Sequence, residues 1–120
     1  MNEIKLVHKD NRGEIYIIKL RDGIQFNMLT TKKGCGRGGD LHPHRQFDLV
    51  LEGEFEVWLK KTKIEKKVFK KYDYIVIPPK IPHLFIAKKD TVMLEWWDKE
   101  FKATYYKPFR KIIENINEKE

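Results

Sequence analysis

The stretch GRGGDLHPHRQFDLVLEGE, residues 36–54, sets how the rest of the chain is read: a glycine-rich run, two histidines flanking a proline, then an apolar run that stops at Glu52-Gly53. Residues 41–51 read as one strand. Successive side chains of a strand point to opposite faces, so His42, His44, Gln46 and Asp48 project one way and Pro43, Arg45 and Phe47 the other. Four polar groups facing the inside of a closed sheet are costly to keep dry, and they call for a metal ion, a ligand, water or one another. The fragment PPKIPH, residues 78–83, supplies a further imidazole, His83, where a rigid proline turn enters the run HLFIA. Three imidazoles and a carboxylate form a natural set for a divalent transition metal such as iron, zinc, manganese or nickel. Asp48 is the carboxylate of that face; neutral Gln46 in its place as ligand would lower affinity for metal and make a metal-free site credible.

Outward from this stretch, short β-branched and aromatic runs recur between turn residues. EIYIIKL (14–20) and IQFNMLT (24–30) flank Asp22-Gly23, a pair suited to a type I′ hairpin turn. TKKGCGRGGD (31–40) is too rich in glycine to read as a packed element and is expected to be a loop. EFEVWLK, IEKKVF, YDYIVI, HLFIA and TVMLEWWD follow at close spacing. This is the pattern of an antiparallel sandwich or barrel. Only the tail reads as helix: after Pro108, residues Phe109, Ile112, Ile113 and Ile116 share one face. The fold class is therefore all-β with a short C-terminal helix, in a single domain spanning 1–120. Trp96 and Trp97 point to opposite faces, one expected to fill the core and the other to cover a barrel mouth or an interface. Glu95 lies on the face of Met93 and Trp97; if that face is internal, Glu95 is a candidate acid/base.

Composition narrows the functional classes. The 120 residues carry 25 Lys+Arg against 18 Asp+Glu, a net charge of +7. The lysines of WLKKTKIEKKVFKK alternate with apolar residues, as on a solvated strand face, and lysine at a sheet edge discourages addition of another strand. This argues against a nucleic-acid partner and for a Lys/Glu/Ile-rich surface of the kind found in thermostable proteins. The surplus charge favours an anionic small molecule. Cys35 is the single cysteine, which excludes an internal disulfide and a cysteine-rich zinc site. No apolar run has the length of a signal peptide core or a membrane span, so a cytoplasmic protein with no membrane partner is expected.

These residues resemble the cupin superfamily, small jelly-roll barrels built as a double-stranded β-helix. In its first motif, GX5HXHX3-4EX6G, Gly36, His42, His44 and Gly53 occupy the named slots, with Asp48 as the carboxylate counted forward from His44; counted back from Gly53, the carboxylate slot falls on Gln46. In its second motif, GX5PXGX2HX3N, Pro78 and His83 fit, while Tyr72, Lys80 and Ala87 stand where the pattern has glycine, glycine and asparagine. The likeness covers about residues 24–98. DNRGEIY (10–16), GRGGDLH (36–42) and ATYYKPFRK (103–111) are similar to the DXRG, RGXH and YXP elements of cupin-type nucleotide-sugar epimerases and ketoisomerases.

The resemblance implies a sugar or sugar-nucleotide isomerase or epimerase acting on an anionic sugar derivative. His42 or His44 would take a proton next to a carbonyl, Arg37 or a metal ion would stabilise the enediolate oxygen, and Tyr105 or Tyr106 would return a proton. An iron-dependent dioxygenase, with iron on His42, His44, Asp48 and His83, is the alternative enzyme, and a non-catalytic ligand-binding cupin is the alternative outside enzymology. A homodimer is expected, with strands 4–7 and 14–20 and the tail helix as pairing elements.

Overall fold

A computed structural model describes residues 2–118. The chain runs through β1 (Glu3–Asp10), β2 (Gly13–Lys19), β3 (Gln25–Thr31), β4 (Gly36–Leu41), β5 (Gln46–Glu52), β6 (Glu54–Lys60), β7 (Ile64–Lys70), β8 (Tyr74–Ile77), β9 (His83–Ala87), β10 (Thr91–Trp97) and β11 (Thr104–Tyr105) into helix α1 (Lys107–Glu118). Two antiparallel sheets face each other in a jelly roll. One has the order β1-β2-β3-β10-β5-β8 and the other β11-β4-β9-β6-β7. Among the described residues, no helix is long and apolar enough to cross a membrane.

Strict alternation builds the core. Along β6, Phe55, Val57 and Leu59 are buried while the residues between them are half-buried. They meet Phe85 and Ala87 of β9 and, from the opposite sheet, Leu29, Val50, Ile75, Ile77 and Met93. Phe55 and Phe85 meet edge to face at 5.4 Å; burying each such side chain contributes about 1.5–3 kcal/mol. The outer face of β6 is not wasted, because Trp58 lies edge-on to Phe109 of α1. Phe109 and Ile113 seal this second cluster against Leu84, as the helical spacing requires. The lysine-rich β7 is the outermost strand of its sheet, and Lys66 lies over the Trp58 ring at 3.9 Å.

Three local expectations are corrected. The glycine-rich segment is not a loop throughout: from Gly36 it forms β4, and its glycines are what allow it to be covered. A Cβ on Gly36 would lie 2.5 Å from Ile113 Cδ1, and one on Gly39 2.7 Å from Arg110 Cδ, so bare backbone lets α1 settle on the strand. The continuous strand 41–51 is also broken. Pairing stops at Leu41, residues 42–45 bend around Pro43, and β5 starts at Gln46; proline has no N–H to continue the ladder. Finally, Asp22-Gly23 is not a type I′ turn, since Gly23 is left-handed at φ 92° and Asp22 is not.

Turns outside the glycines follow the second motif closely. Tyr72 (φ 73°) and Lys80 (φ 63°), which stand in its two glycine slots, are the non-glycine residues with left-handed backbone among those described. The motif is thus kept as a conformation where its residues are lost, at a cost of about 1–2 kcal/mol per residue. In the first motif, Gly53 (φ 89°) keeps both residue and conformation. A Cβ there would sit 2.3 Å from the Asp90 carbonyl oxygen, so Gly53→Ala is expected to lower stability by about 2–3 kcal/mol in urea unfolding, through strain that no side-chain movement can relieve.

Candidate metal centre and cavity

Asp40 and His83 face each other as partners across β4 and β9, and a bulge between Gly38 and Asp40 precedes that pairing. One extra residue on β4 reverses which face the following side chain takes. His42 follows two positions later, at the start of the bend. Its Nδ1 donates to the Lys102 carbonyl at 2.7 Å, and Nδ1 of His83 donates to the Ile81 carbonyl at 2.9 Å. With Nδ1 so engaged, Nε2 is the atom each ring can offer to a metal as a lone pair. Both aim at one oxygen: Nε2 of His42 lies 3.6 Å and Nε2 of His83 3.4 Å from Asp40 Oδ1.

These three groups converge closely enough to share an ion, their ligand atoms all lying within 4.8 Å of one another. Two donors each about 2.1 Å from a tetrahedral ion are about 3.4 Å apart. The protonation chemistry also suits a cation. Burial lowers the pKa of His83 to about 4, so it is neutral and ligating at ordinary pH. Burial raises the pKa of Asp40, outweighing the pull of His42 and Arg110. With Asp40 ionised and both rings presenting Nε2, a cation between them would relieve the confrontation of three sets of lone pairs. The residues present fit a divalent metal.

The cluster opens into a cavity of about 370 Å³ between the sheets. Gln46 and Glu95 line it, as do Arg12, Arg37 and Arg110. Glu95 is on the interior face. Its carboxyl is raised to about 7, chiefly by burial, with Asp40 adding, against hydrogen bonds from Asp48 and Gln46 and the charge of Arg37. Asp48, directly across β5/β10 from Glu95, is fully buried and raised well above the carboxylate range by burial and by the charge of Glu95. Gln46 Nε2 donates to both, at 2.9 Å to Asp48 Oδ2. Gln46 Oε1 and the Trp97 Nε1 proton, both on residues lining the cavity, are buried without partners. Such an interior suits a polar guest.

The expected ligand set is thus only partly the set brought together. His42 and His83 converge. His44 lies in the bend, half-buried and outside the cavity lining, and Asp48 lies behind Gln46 and Glu95. The residue that joins the histidines is Asp40, which is outside the expected set, although the register that puts Gln46 in the carboxylate slot also puts Asp40 and His42 in the two HXH slots and Gly34 in the first glycine slot. Arg37 lines the cavity, and so does Tyr105, a largely exposed ring beneath Arg110. Tyr106 packs edge-on against Phe109 and is a helix-docking residue. Neither tryptophan fills the hydrophobic core. Trp97 lies against His42 and Phe101; Trp96 stacks on Phe47 and Tyr74 on the outer face.

The profile of the family described as "Cupin domain" matches residues 27–98, the span that holds both imidazoles, Asp40 and Glu95. The chain belongs to the cupin family. Among solved structures this cupin is similar in fold to the capsular polysaccharide assembling protein CapF from Staphylococcus aureus, with a TM-score of 0.73 at 20% identity over 86% of this chain and 31% of that one. It is also similar to KdgF from Halomonas sp., with a TM-score of 0.64 at 21% identity over 80% of this chain and 87% of that one. A Lactobacillus farciminis oxalate decarboxylase aligns with a TM-score of 0.71 at 18% identity over 91% of this chain and 35% of that one. The cupin therefore spans about a third of CapF and of the decarboxylase. No curated protein sequence matches it. At these identities the likeness is one of fold.

Proposed function

We propose that this cupin is a metal-dependent isomerase or epimerase of a sugar or sugar nucleotide. The observation that supports the reading is co-location: the Asp40, His42 and His83 cluster and the carboxyl of Glu95 line one cavity. A divalent metal on the cluster would supply a Lewis acid to polarise a substrate carbonyl. Glu95, raised to about 7, has the proton affinity to take and return a proton on the neighbouring carbon near neutral pH. His42 cannot serve as that base at Nε2 while holding a cation there, which transfers the role expected of it to Glu95. Tyr105, at the cavity lining, remains the candidate for the second proton, and the fold likeness to a capsular polysaccharide assembling protein is in keeping with a carbohydrate guest.

The donor set itself favours a second reading. Two histidines and one carboxylate with open positions form the facial set of non-haem iron oxygenases, which keeps the iron-dependent dioxygenase in play. One experiment separates them. Protein loaded in turn with Mn²⁺, Zn²⁺ and Fe²⁺ is incubated in D₂O with a panel of sugars, sugar phosphates and nucleotide sugars and followed by proton NMR. Loss of the signal of the proton on the carbon next to the carbonyl, with the signal retained in Glu95→Gln, is the expected result. Turnover that stops without oxygen supports the dioxygenase, and binding with no exchange in any combination overturns both enzymatic readings in favour of a ligand-binding protein.

A further inference from the structure

Arg37 is 4% exposed and lines the same cavity. Its Nε donates to Thr31 Oγ1 at 2.9 Å and its Nη2 to the Thr30 carbonyl at 2.7 Å. Both acceptors are neutral. Among the described residues no carboxylate oxygen lies within 4.0 Å of the guanidinium. Burial lowers its pKa to about 10, so it stays charged at neutral pH. A guanidinium offers five N–H donors, and three remain here: both on Nη1 and one on Nη2. Nη1 makes no hydrogen bond among the described residues and is not sealed from solvent, on a residue that lines the cavity.

The other cations of the cavity differ in a telling way. Arg12 is neutralised by Asp10, which it grips through Nε and Nη2. Arg110 donates from Nη1 to the Gly38 carbonyl at 2.9 Å, leaves Nε buried without a partner, and has its nearest carboxylate, the exposed Glu114, 3.8 Å away. On the acidic side, Asp40 belongs to the histidine cluster, and Glu95 is held by Gln46 and Asp48. The cavity therefore contains one buried cation in contact with no carboxylate, reached only at longer range by Asp10 and Glu95, and a second whose closest ion pair is with an exposed glutamate. Burying a charge unpaired is unfavourable unless something fills the vacancy.

We propose that Arg37, seconded by Arg110, is the docking point for a permanent oxyanion of the ligand, a carboxylate or phosphoryl group. The free edge of Nη1 and Nη2 has the forked geometry that takes two oxygens in parallel, and the bonds to β3 hold that fork in place before the ligand arrives. This assigns Arg37 to ground-state binding instead of to an enediolate oxygen. It rests on the proposed reading of the cavity as a small-molecule site and does not require the metal.

The test is thermal unfolding and calorimetric titration at constant ionic strength with D-glucuronate, D-glucose 6-phosphate, acetate, inorganic phosphate and uncharged D-glucose, with and without EDTA. At least one sugar acid should raise the melting temperature where glucose does not; which of the two does so identifies the carboxylate or the phosphoryl group. Arg37→Met should abolish the rise, and Arg37→Lys, which keeps the charge but not the fork, should weaken binding at least tenfold. Should Arg37→Met fail to fold, Thr31→Val, which frees Nε from its acceptor, should weaken the acid several-fold with metal content unchanged. No response to any of the four anions, or the same response in Arg37→Met, overturns the proposal. An Arg37-dependent response in protein shown by elemental analysis to hold no metal leaves this inference standing while the metal reading fails, and stoichiometric metal with no anion response means the converse.

Discussion

His83→Ala is expected to cost the protein at least about 100-fold in affinity for Zn²⁺ or Mn²⁺, or about 2.7 kcal/mol. The substitution removes one of three donors and leaves Asp40 and Nε2 of His42 facing each other with no third arm. Asp40→Asn and His42→Ala should act alike, because each takes away a charge or a lone pair that the others cannot replace. His44→Ala should change affinity by less than about twofold, since its ring lies in the bend outside the cavity lining. Elemental analysis of protein purified without a metal-affinity column, with competition against a chromophoric chelator, measures all four. A large loss in His44→Ala with none in Asp40→Asn would restore the register read from His44 and sink the one built on Asp40.

The second large effect is on stability against pH. Glu95 is raised from an ordinary 4.5 to about 7, so the folded state holds a proton that the unfolded chain has already released. Stability from this group is complete below about pH 4.5 and falls as pH rises to about 7. A shift of this size corresponds to a loss on the order of 3 kcal/mol. Asp48, also raised well above the usual carboxylate range by burial and by Glu95, acts in the same direction. Through Glu95, metal-free protein should therefore lose resistance to urea between pH 5 and pH 8, the reverse of what an ion-paired carboxylate would give and against the gain that His83, lowered to about 4, makes below its ordinary 6.5. Glu95→Gln, which keeps the shape without the charge, should flatten that slope; an unchanged slope would mean that Glu95 is ionised and well solvated in the fold.

The architecture was legible because it rests on repeated, local signals. EFEVWLK alternates and becomes β6; HLFIA and TVMLEWW lie between turn residues and become β9 and β10; Phe109 and Ile113 at helical spacing become the buried face of α1. The site was legible only in part. The period of a strand carries side-chain direction only while the strand lasts, and Pro43 ends it, so the expected alternation of His42 with Gln46 and Asp48 was interrupted where it mattered. Gln46 and Asp48 do face inward, as residues of β5, but His44 does not follow. Asp40 was hidden for a different reason. It lies in a glycine-rich segment whose strand character depends on β9 and α1, elements distant in sequence, and its direction is set by a bulge that no local pattern marks. Gly53, fixed by a left-handed backbone, was the more reliable ruler, and counting from it gives Asp40, His42 and Gln46 together.

The bulge between Gly38 and Asp40 has a consequence for how the barrel is made as well as for what it does. A chain that closed β4 on β9 one residue out would turn Asp40 away and have no three-donor set to offer. A cation that recognises the three groups together thus favours only the correctly zipped molecule, by an amount that grows with its concentration relative to its dissociation constant. The ion, in that case, proofreads assembly.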